Sequence, residues 1–275
     1  MSYVNTKDVD QFRKDGYLIL KGALLKNDLF EKYLNDIRKL CILAAHGCNE
    51  VSSRYDLGEM LAALFHIEPA APKKIFDLLA TPTKLISGMQ LKTCEQLLSI
   101  ATTLLQAELL GYPAASDYAM MFMPGMKKAG NSYQEQHQDF PHLLQSPKQL
   151  TFWIPLSKHT DGNGGISIYA GSHSMGLLPF KYNATNSHYE VHDLSVLKEC
   201  VQVDWDLYDL IILDSLVVHG TIANMSETTA RATQLFRYSD LTHPVAVTSG
   251  WTSTRPTGNF TTAKEMYKDK LVYEY

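Results

Sequence analysis

The sequence predicts a mostly-β core behind a helical cover, and three features of the 275-residue chain point there. Apolar residues recur at helical spacing through roughly the first 112 positions. After Gly111-Tyr112-Pro113 the texture changes to short β-prone runs separated by Gly, Pro, Asn and Asp. No Gly-Pro-Ser linker divides the two stretches and no internal repeat is present. Helices followed by strands predict segregated layers, where alternating βαβ units would predict a parallel sheet. The reading is therefore a single domain over 1–275, with 1–112 as cover, 113–242 as core and 243–275 as a C-terminal tail.

The elements follow in chain order. Thr6 can cap a short helix that ends at Gly16 and turns Phe12 inward, and Tyr17-Leu18-Ile19-Leu20 then reads as a strand. From Asn27, the apolar set Leu29, Phe30, Tyr33, Leu34, Ile37, Leu40, Cys41 and Ala44 has helical spacing, with Gly47 as a left-handed stop. Leu57 to Phe65, Lys73 to Leu79 and Thr83 to Leu109 give weaker helical patterns. The strand candidates are Tyr118 to Met123, Leu150 to Leu156, Gly165 to Tyr169, Cys200 to Val203, Leu210 to Leu213 and Ala232 to Tyr238. Pro155 cannot donate to a ladder, which points to an edge or bulge there.

Composition excludes several classes. With 45% apolar residues, a chain of this size buries about 73% of its unfolded surface. It can build a core without staples, so a metal here needs a chemical reason. Net charge is −4 and the 25 basic residues are scattered, which argues against a nucleic-acid groove or a polybasic membrane patch. The longest apolar runs, such as Leu210-Ile211-Ile212-Leu213, fall far short of the ~18 residues that span a bilayer. The start, Met1-Ser2-Tyr3-Val4-Asn5, carries no secretion signal. Cys41, Cys48, Cys94 and Cys200 form no CxxC pair and no zinc spacing, so the expectation is a reducing, cytoplasmic setting.

The search for ligands starts from ten histidines and 29 acids over 275 positions, which by chance puts about one acid two places after a histidine; four such pairs occur. They are His66/Glu68, His137/Asp139, His159/Asp161 and His188/Glu190. On an extended segment, residues i and i+2 point the same way, so an imidazole and a carboxylate can share one ion. A second histidine from a distant strand would complete a 2-His-1-carboxylate set with open positions, the arrangement of non-haem Fe(II) oxygenases. His137/Asp139 precedes the run of strands, and His219 follows the strand Leu210 to Leu213 eighty-two residues later. That interval can hold the antiparallel strands that return a jelly roll on itself. Arg231 opens the next strand and is suited to a bidentate grip on a carboxylate. Arg237 shares its strand face and is the weaker alternative clamp. His159/Asp161 sits in Gly- and Asn-rich turn chemistry, and the other two pairs lie where no strand pattern runs. His173 reads as structural, holding its own turn by local hydrogen bonds.

At this point the chain resembles the phytanoyl-CoA dioxygenase family of Fe(II)/2-oxoglutarate oxygenases. The opening Phe12-x-x-x-Gly16-Tyr17-Leu18-Ile19-Leu20 and His137-Gln138-Asp139 carry the likeness. So do Thr151-Phe152-Trp153-Ile154-Pro155-Leu156, Asn163-Gly164-Gly165-Ile166 and Gly171-Ser172-His173. The closing block runs from Asp209-Leu210-Ile211-Ile212-Leu213 to His219-Gly220-Thr221, Asn224, Ser226 and Arg231. The order and spacing of the motifs are specific, and the likeness thins between about 45 and 115 and after 242. Two departures are small: Arg231 lies twelve residues after His219 where eleven is common, and Tyr-Ala precedes Gly171-Ser172-His173 where Leu-Pro is usual.

The resemblance implies a double-stranded β-helix (jelly roll, cupin-like) core with N-terminal helices packed on it. It implies His137, Asp139 and His219 as iron ligands, Arg231 on the C5 carboxylate of 2-oxoglutarate, Thr221 as a second contact and Trp153 as pocket wall. Fe(II), 2-oxoglutarate and O2 would be the cofactor and co-substrates. The reaction would convert 2-oxoglutarate to succinate and CO2 while a C–H bond of a small organic molecule is hydroxylated or otherwise oxidised. Asp139 favours oxygen transfer over halogenation, which in relatives needs that site emptied. Two alternatives stay open: a jelly-roll isomerase or ring-cleaving dioxygenase using the triad without 2-oxoglutarate, or a non-catalytic binding relative. Substrate choice is expected in Ser53 to Leu64, Lys181 to Leu194 and the tail from His243, with Arg54, Tyr55, Tyr182 and Trp251 as contacts. No oligomeric state is implied.

Overall fold

The computed structural model describes residues 3–46, 51–79, 85–113, 117–124, 135–183 and 188–252. Helix α1 (Thr6–Asp15) is capped by Asn5, one residue before the expected Thr6. The Asn5 side chain accepts from the backbone of Lys7 and Asp8, and Asp8 answers it in a capping box. Gly16 closes the helix at φ +74, and a Cβ there would lie 2.4 Å from Nδ1 of His173. His173 Nε2 meets the Arg13 carbonyl at 3.0 Å. The expected local role of His173 is thus replaced by a bond to a helix end 160 residues away, which no local pattern encodes.

Strand β1 (Tyr17–Leu20) and helix α2 (Asp28–Ala44), capped by Asn27, follow as expected. Gly47 and Cys48 lie outside the described residues. Helix α3 (Leu57–Ile67) has the capping box Asp56/Glu59, and α4 (Ala71–Leu79) comes next. The single helix expected from Thr83 is two: α5 (Ile86–Lys92) and α6 (Glu95–Leu105), Thr83 itself being outside the described residues. Cys94 between them is extended, and the Lys92 carbonyl accepts a hydrogen bond from the Tyr238 hydroxyl at 2.6 Å.

Beyond the helices lie β2 (Leu110–Gly111), β3 (Tyr118–Phe122), α7 (Phe140–Leu143), β4 (Gln149–Pro155), β5 (Gly165–Tyr169), β6 (Phe180–Asn183) and β7 (His188–Val191). After them come β8 (Cys200–Gln202), β9 (Leu210–Asp214), β10 (Val218–Ile222), β11 (Arg231–Asp240) and α8 (Pro244–Thr248). The larger sheet runs β1-β9-β4-β11, with β2 and β3 both paired to β11. A second sheet runs β10-β5-β8, and β6 and β7 form a hairpin. Every pairing is antiparallel. Four strands were not expected, β2, β10 and the two of the β6–β7 hairpin, nor were the short helices α7 and α8. In consequence His219 lies on β10 itself, and the region of His188/Glu190 is a strand.

Alternation along the central strands explains the layering. Leu150, Phe152 and Ile154 of β4, Leu210 and Ile212 of β9, and Ala232, Phe236 and Tyr238 of β11 join the helices in one apolar cluster. Their neighbours Trp153, Ile211, Leu213 and Leu235 face the second sheet, meeting Ile166 and Ile168 of β5. Both faces of β4 are thus covered, so all seven of its residues are buried, and Pro155 is tolerated as its last residue. Polar latches tie cover to sheet: the Tyr33 hydroxyl donates to Oε1 of Gln234 at 2.6 Å. Among the described residues no helix is long and apolar enough to cross a membrane.

Phe152 is fully buried on the helix side, edge-on to Tyr238 at 4.8 Å. Phe152→Ala should lower stability by about 3–5 kcal/mol in chemical denaturation. A loss below ~1 kcal/mol would contradict this packing of cover on sheet.

Candidate metal centre

The segment carrying His137 docks on β10 as a lone antiparallel bridge, His137 against His219. The two backbones exchange hydrogen bonds of 2.9 and 3.0 Å, so their side chains emerge on one face. The rings sit 4.3 Å apart. Extended i, i+2 geometry accounts for only part of the site: Asp139 has helical φ and ψ and leads directly into α7. Gln138 points the other way and locks the segment. Its Nε2 donates to the carbonyls of Gly176 and Leu216, and its Oε1 accepts from the Leu178 backbone at 2.9 Å. Gly220 makes room for Gln136, since a Cβ there would meet Gln136 Nε2 at 2.6 Å and that side chain would have to shift.

Each histidine is oriented by its own chain. Nδ1 of His137 lies 2.7 Å from the Glu135 carbonyl, and Nδ1 of His219 lies 3.0 Å from the Val217 carbonyl. A carbonyl only accepts, so both Nδ1 atoms carry the proton and both Nε2 lone pairs are available. Nε2 of His137 is 3.7 Å from Oδ1 of Asp139. One ligand atom from each of the three residues falls within 4.8 Å of the others, and all three residues are buried. It is the single such group among the described residues. His66 and Asp161 are exposed, Glu68 pairs with Lys74, and the His188 side chain lies outside the described residues.

Electrostatics keep these donors ready. Burial opposes a charge on Asp139, but the Arg237 guanidinium and the two imidazoles outweigh it and hold the carboxyl well below the ordinary range. Arg237 Nη2 lies 3.2 and 3.4 Å from the two Asp139 oxygens, and the Thr151 hydroxyl donates to Oδ2. Burial first, then His137, push His219 down to about 4, so it is neutral at physiological pH. Two imidazoles anchored through Nδ1 and one ionised carboxylate fit an N2O set for a divalent first-row metal such as Fe(II).

A small cavity of about 20 Å³ opens beside Asp139 and His219. Met120, Trp153, Ile166, Leu213 and Leu235 make its apolar wall, and Thr151, Thr221 and Arg237 are its polar lining. Trp153 is held edge-on to Trp205 at 5.4 Å. Arg231 is 1% exposed and lies over the Phe122 ring at 4.1 Å. Its Nη1 donates to the carbonyls of Gly165 and Ile222 at 2.6 and 3.0 Å. Its Nε has no hydrogen-bond partner among the described residues, and burial pulls its pKa down to about 9. Gly165 is also a cavity residue, which puts Arg231 behind that wall. The structure thus gathers His137, Asp139, His219, Thr221 and Trp153 around one space, with Arg231 adjoining it. Thr151 and Gln138 were not foreseen in a site role; the parity of Thr151 with Trp153 was the available signal. Arg54, Tyr55, Tyr182 and Trp251 are exposed and line no part of this cavity.

Comparison with known proteins decides the family. The family model for phytanoyl-CoA dioxygenase (PhyH) matches residues 12–232, about four fifths of the chain. The chain belongs to the phytanoyl-CoA dioxygenase family. A relative from Caenorhabditis elegans named "Probable phytanoyl-CoA dioxygenase" is 24% identical over 131 residues, 44% of this chain. That match spans 42% of the relative's length. Among solved structures, the epimerase SnoN in complex with Fe3+, alpha ketoglutarate and nogalamycin RO superposes with a TM-score of 0.58 at 17% identity. It covers 92% of this PhyH chain and 91% of SnoN. EctD from S. alaskensis with bound Fe gives 0.57 at 16%, covering 87% and 78%. The carbocyclase SnoK from nogalamycin biosynthesis gives 0.56 at 17%, covering 87% and 86%. These neighbours share the fold of the PhyH chain.

The depressed His219 makes acid a threat to the metal-free PhyH chain. Unfolded, a histidine takes its proton near pH 6.5, whereas folded His219 resists until about pH 4. The unfolded state therefore binds more protons between those values, and stability falls as pH drops through that window. The loss should be on the order of 3 kcal/mol, read as a falling Tm of metal-free protein from pH 6.5 to 4. His219→Asn should flatten that slope, and an equal slope in the variant would refute the assignment.

Proposed function

We propose that this chain is an Fe(II)/2-oxoglutarate-dependent oxygenase acting on a C–H bond of a small organic molecule. The observation that carries the reading is the convergence of two Nδ1-anchored imidazoles and an ionised carboxylate beside a buried arginine that meets no carboxylate among the described residues. His137, Asp139 and His219 would hold the iron, and Arg231 with Thr221 would bind the C5 carboxylate of 2-oxoglutarate. The two antiparallel sheets with a shared apolar core support a double-stranded β-helix, here one domain over 1–275 with the helices as its cover.

When bound, iron and the 2-oxo acid supply the oxidising chemistry: O2 is consumed, succinate and CO2 leave, and one oxygen atom goes to substrate. The chain's own groups do the rest. The Glu135 and Val217 carbonyls fix both imidazole planes, so the protein itself would orient the two ring nitrogens toward a bound metal. A buried guanidinium without a carboxylate carries an unscreened charge, and the unpartnered Arg231 Nε offers a donor to an anion. Met120, Trp153, Ile166, Leu213 and Leu235 exclude water from the space where substrate would sit. The neighbours named as epimerase and carbocyclase favour a reading in which hydroxylation is one of several outcomes open to this fold.

His137→Ala and Asp139→Ala should each abolish succinate formation from 2-oxoglutarate, assayed anaerobically loaded with Fe(II) and then exposed to O2. Arg231→Ala should raise the KM for 2-oxoglutarate about 10- to 100-fold. Turnover surviving in either ligand variant sinks the triad, and an unchanged KM removes Arg231 from the co-substrate site.

A further inference from the structure

Arg237 stands apart from the groups assigned above. It is 2% exposed, six residues beyond Arg231 on the same face of β11. Unlike Arg231, its donors are taken. Nε donates to the Thr151 hydroxyl at 3.1 Å, Nη2 reaches both Asp139 oxygens, and the Tyr118 side chain is a further hydrogen-bond partner. The Tyr118 ring lies beneath the guanidinium at 5.0 Å. The backbone of Arg237 is fixed in turn, its N–H donating to Oδ1 of Asp117 at 2.9 Å, and Asp117 forms a buried ion pair with Lys92 of α5.

The two Asp139 oxygens are consequently inequivalent. Arg237 Nη2 donates to both, Oδ1 at 3.2 Å and Oδ2 at 3.4 Å, but Oδ2 also accepts from Thr151, which takes up its acceptor capacity and leaves Oδ1 one lone pair for a metal. Oδ1 faces Nε2 of His137 at 3.7 Å. We propose that Arg237, acting with Thr151, is a positioning residue that restricts Asp139 to one-oxygen coordination through Oδ1. A two-oxygen carboxylate would fill one of the three positions that a bidentate 2-oxo acid and O2 need. Held on one oxygen, the site keeps all three. The proposal rests on the iron-site reading above and concerns how its carboxylate is held. It also separates the two arginines of β11: Arg237 serves the metal ligand, and Arg231 is left for an incoming anion.

The test uses the whole chain with Co(II) in place of Fe(II), titrated anaerobically. Visible absorption then reports affinity and coordination number, independent of turnover. Thr151→Val keeps the charge of Arg237 and removes one hydrogen bond to Oδ2, whereas Arg237→Gln removes the charge and the fork, and Arg237→Lys keeps charge alone. Arg237→Gln should weaken Co(II) binding about 10- to 100-fold and change the spectrum toward a different coordination number. Thr151→Val should do so more weakly, and Arg237→Lys should restore affinity only in part. At saturating metal, the KM for 2-oxoglutarate should stay within about twofold of the unmodified protein. If Arg237→Gln does not fold, Thr151→Val decides alone. Unchanged Co(II) affinity and spectrum in the folded variants, with only a lowered Tm, would overturn the proposal. So would a large rise in KM at unchanged metal affinity, which would make Arg237 a co-substrate clamp. Failure of the unmodified protein to bind Co(II) would instead refute the iron-site reading on which it rests.

Discussion

The centre depends on one backbone contact, the reciprocal pair of hydrogen bonds between His137 and His219. Side chains alternate along an extended segment, so a slip of one residue would turn one imidazole to the opposite face. The register must therefore be fixed from outside the pair, and three features fix it. Strand β10 is zipped to β5 over five residues, with His219 opposite Ile168 and Thr221 opposite Ile166. Gln138 is bonded at both ends of its amide to the turns at 176–178 and 216. Gly220 leaves room for Gln136, whose Nε2 reaches the Ser167 hydroxyl at 2.9 Å. The residues flanking the ligands thus hold the geometry that the ligands use.

The central strands β9, β4 and β11 obey a second constraint. Helices cover one face and the second sheet covers the other, so β9 and most of β4 read as nearly continuous apolar runs, as fully buried strands do, while β11 carries buried polar residues among its apolar ones. Polar intrusions on the inward face stand out against that background. Thr151 of β4 lies opposite Arg237 of β11 in the ladder, and that cross-strand pair touches Asp139. A buried polar pair of this kind costs desolvation unless each donor and acceptor is met. Here each finds its partner in the other or in the metal ligand, so the polar network and the metal centre need one another.

Much of this was legible in sequence, for identifiable reasons. Apolar spacing reports which face a helix buries, and α2 begins at its Asn27 cap as that pattern requires. The gathering of His137, Asp139 and His219 was legible because a short-range pair and one distant histidine stand in a specific order along the chain. What escaped was long-range. The β6–β7 hairpin does alternate, but over only four residues in each strand, too short a run to stand out, and its pairing is settled by what it covers, including the His142 ring against Tyr189 at 5.1 Å. The break between α5 and α6 coincides with a hydroxyl from β11 taking the Lys92 carbonyl. The parity of Arg231 and Arg237 was readable, but their different surroundings depend on which strands flank β11.

Charge balance explains why two arginines can share one buried face. Asp139 is ionised and cancels Arg237, while Lys92 and Asp117 cancel each other. Arg231 remains, with backbone carbonyls as its hydrogen-bond partners and an aromatic face beneath it. Carbonyl dipoles and a ring quadrupole soften a buried charge without neutralising it. Adding the divalent metal of the proposed function makes the pocket more positive still. A monoanion would leave most of that excess in place. A dicarboxylate bridging metal and arginine meets both charges at once, one carboxylate at each end. On the proposed function the anion's two charges would matter as much as its shape, and the Arg231 guanidinium, which meets backbone carbonyls and no carboxylate among the described residues, would select for the second.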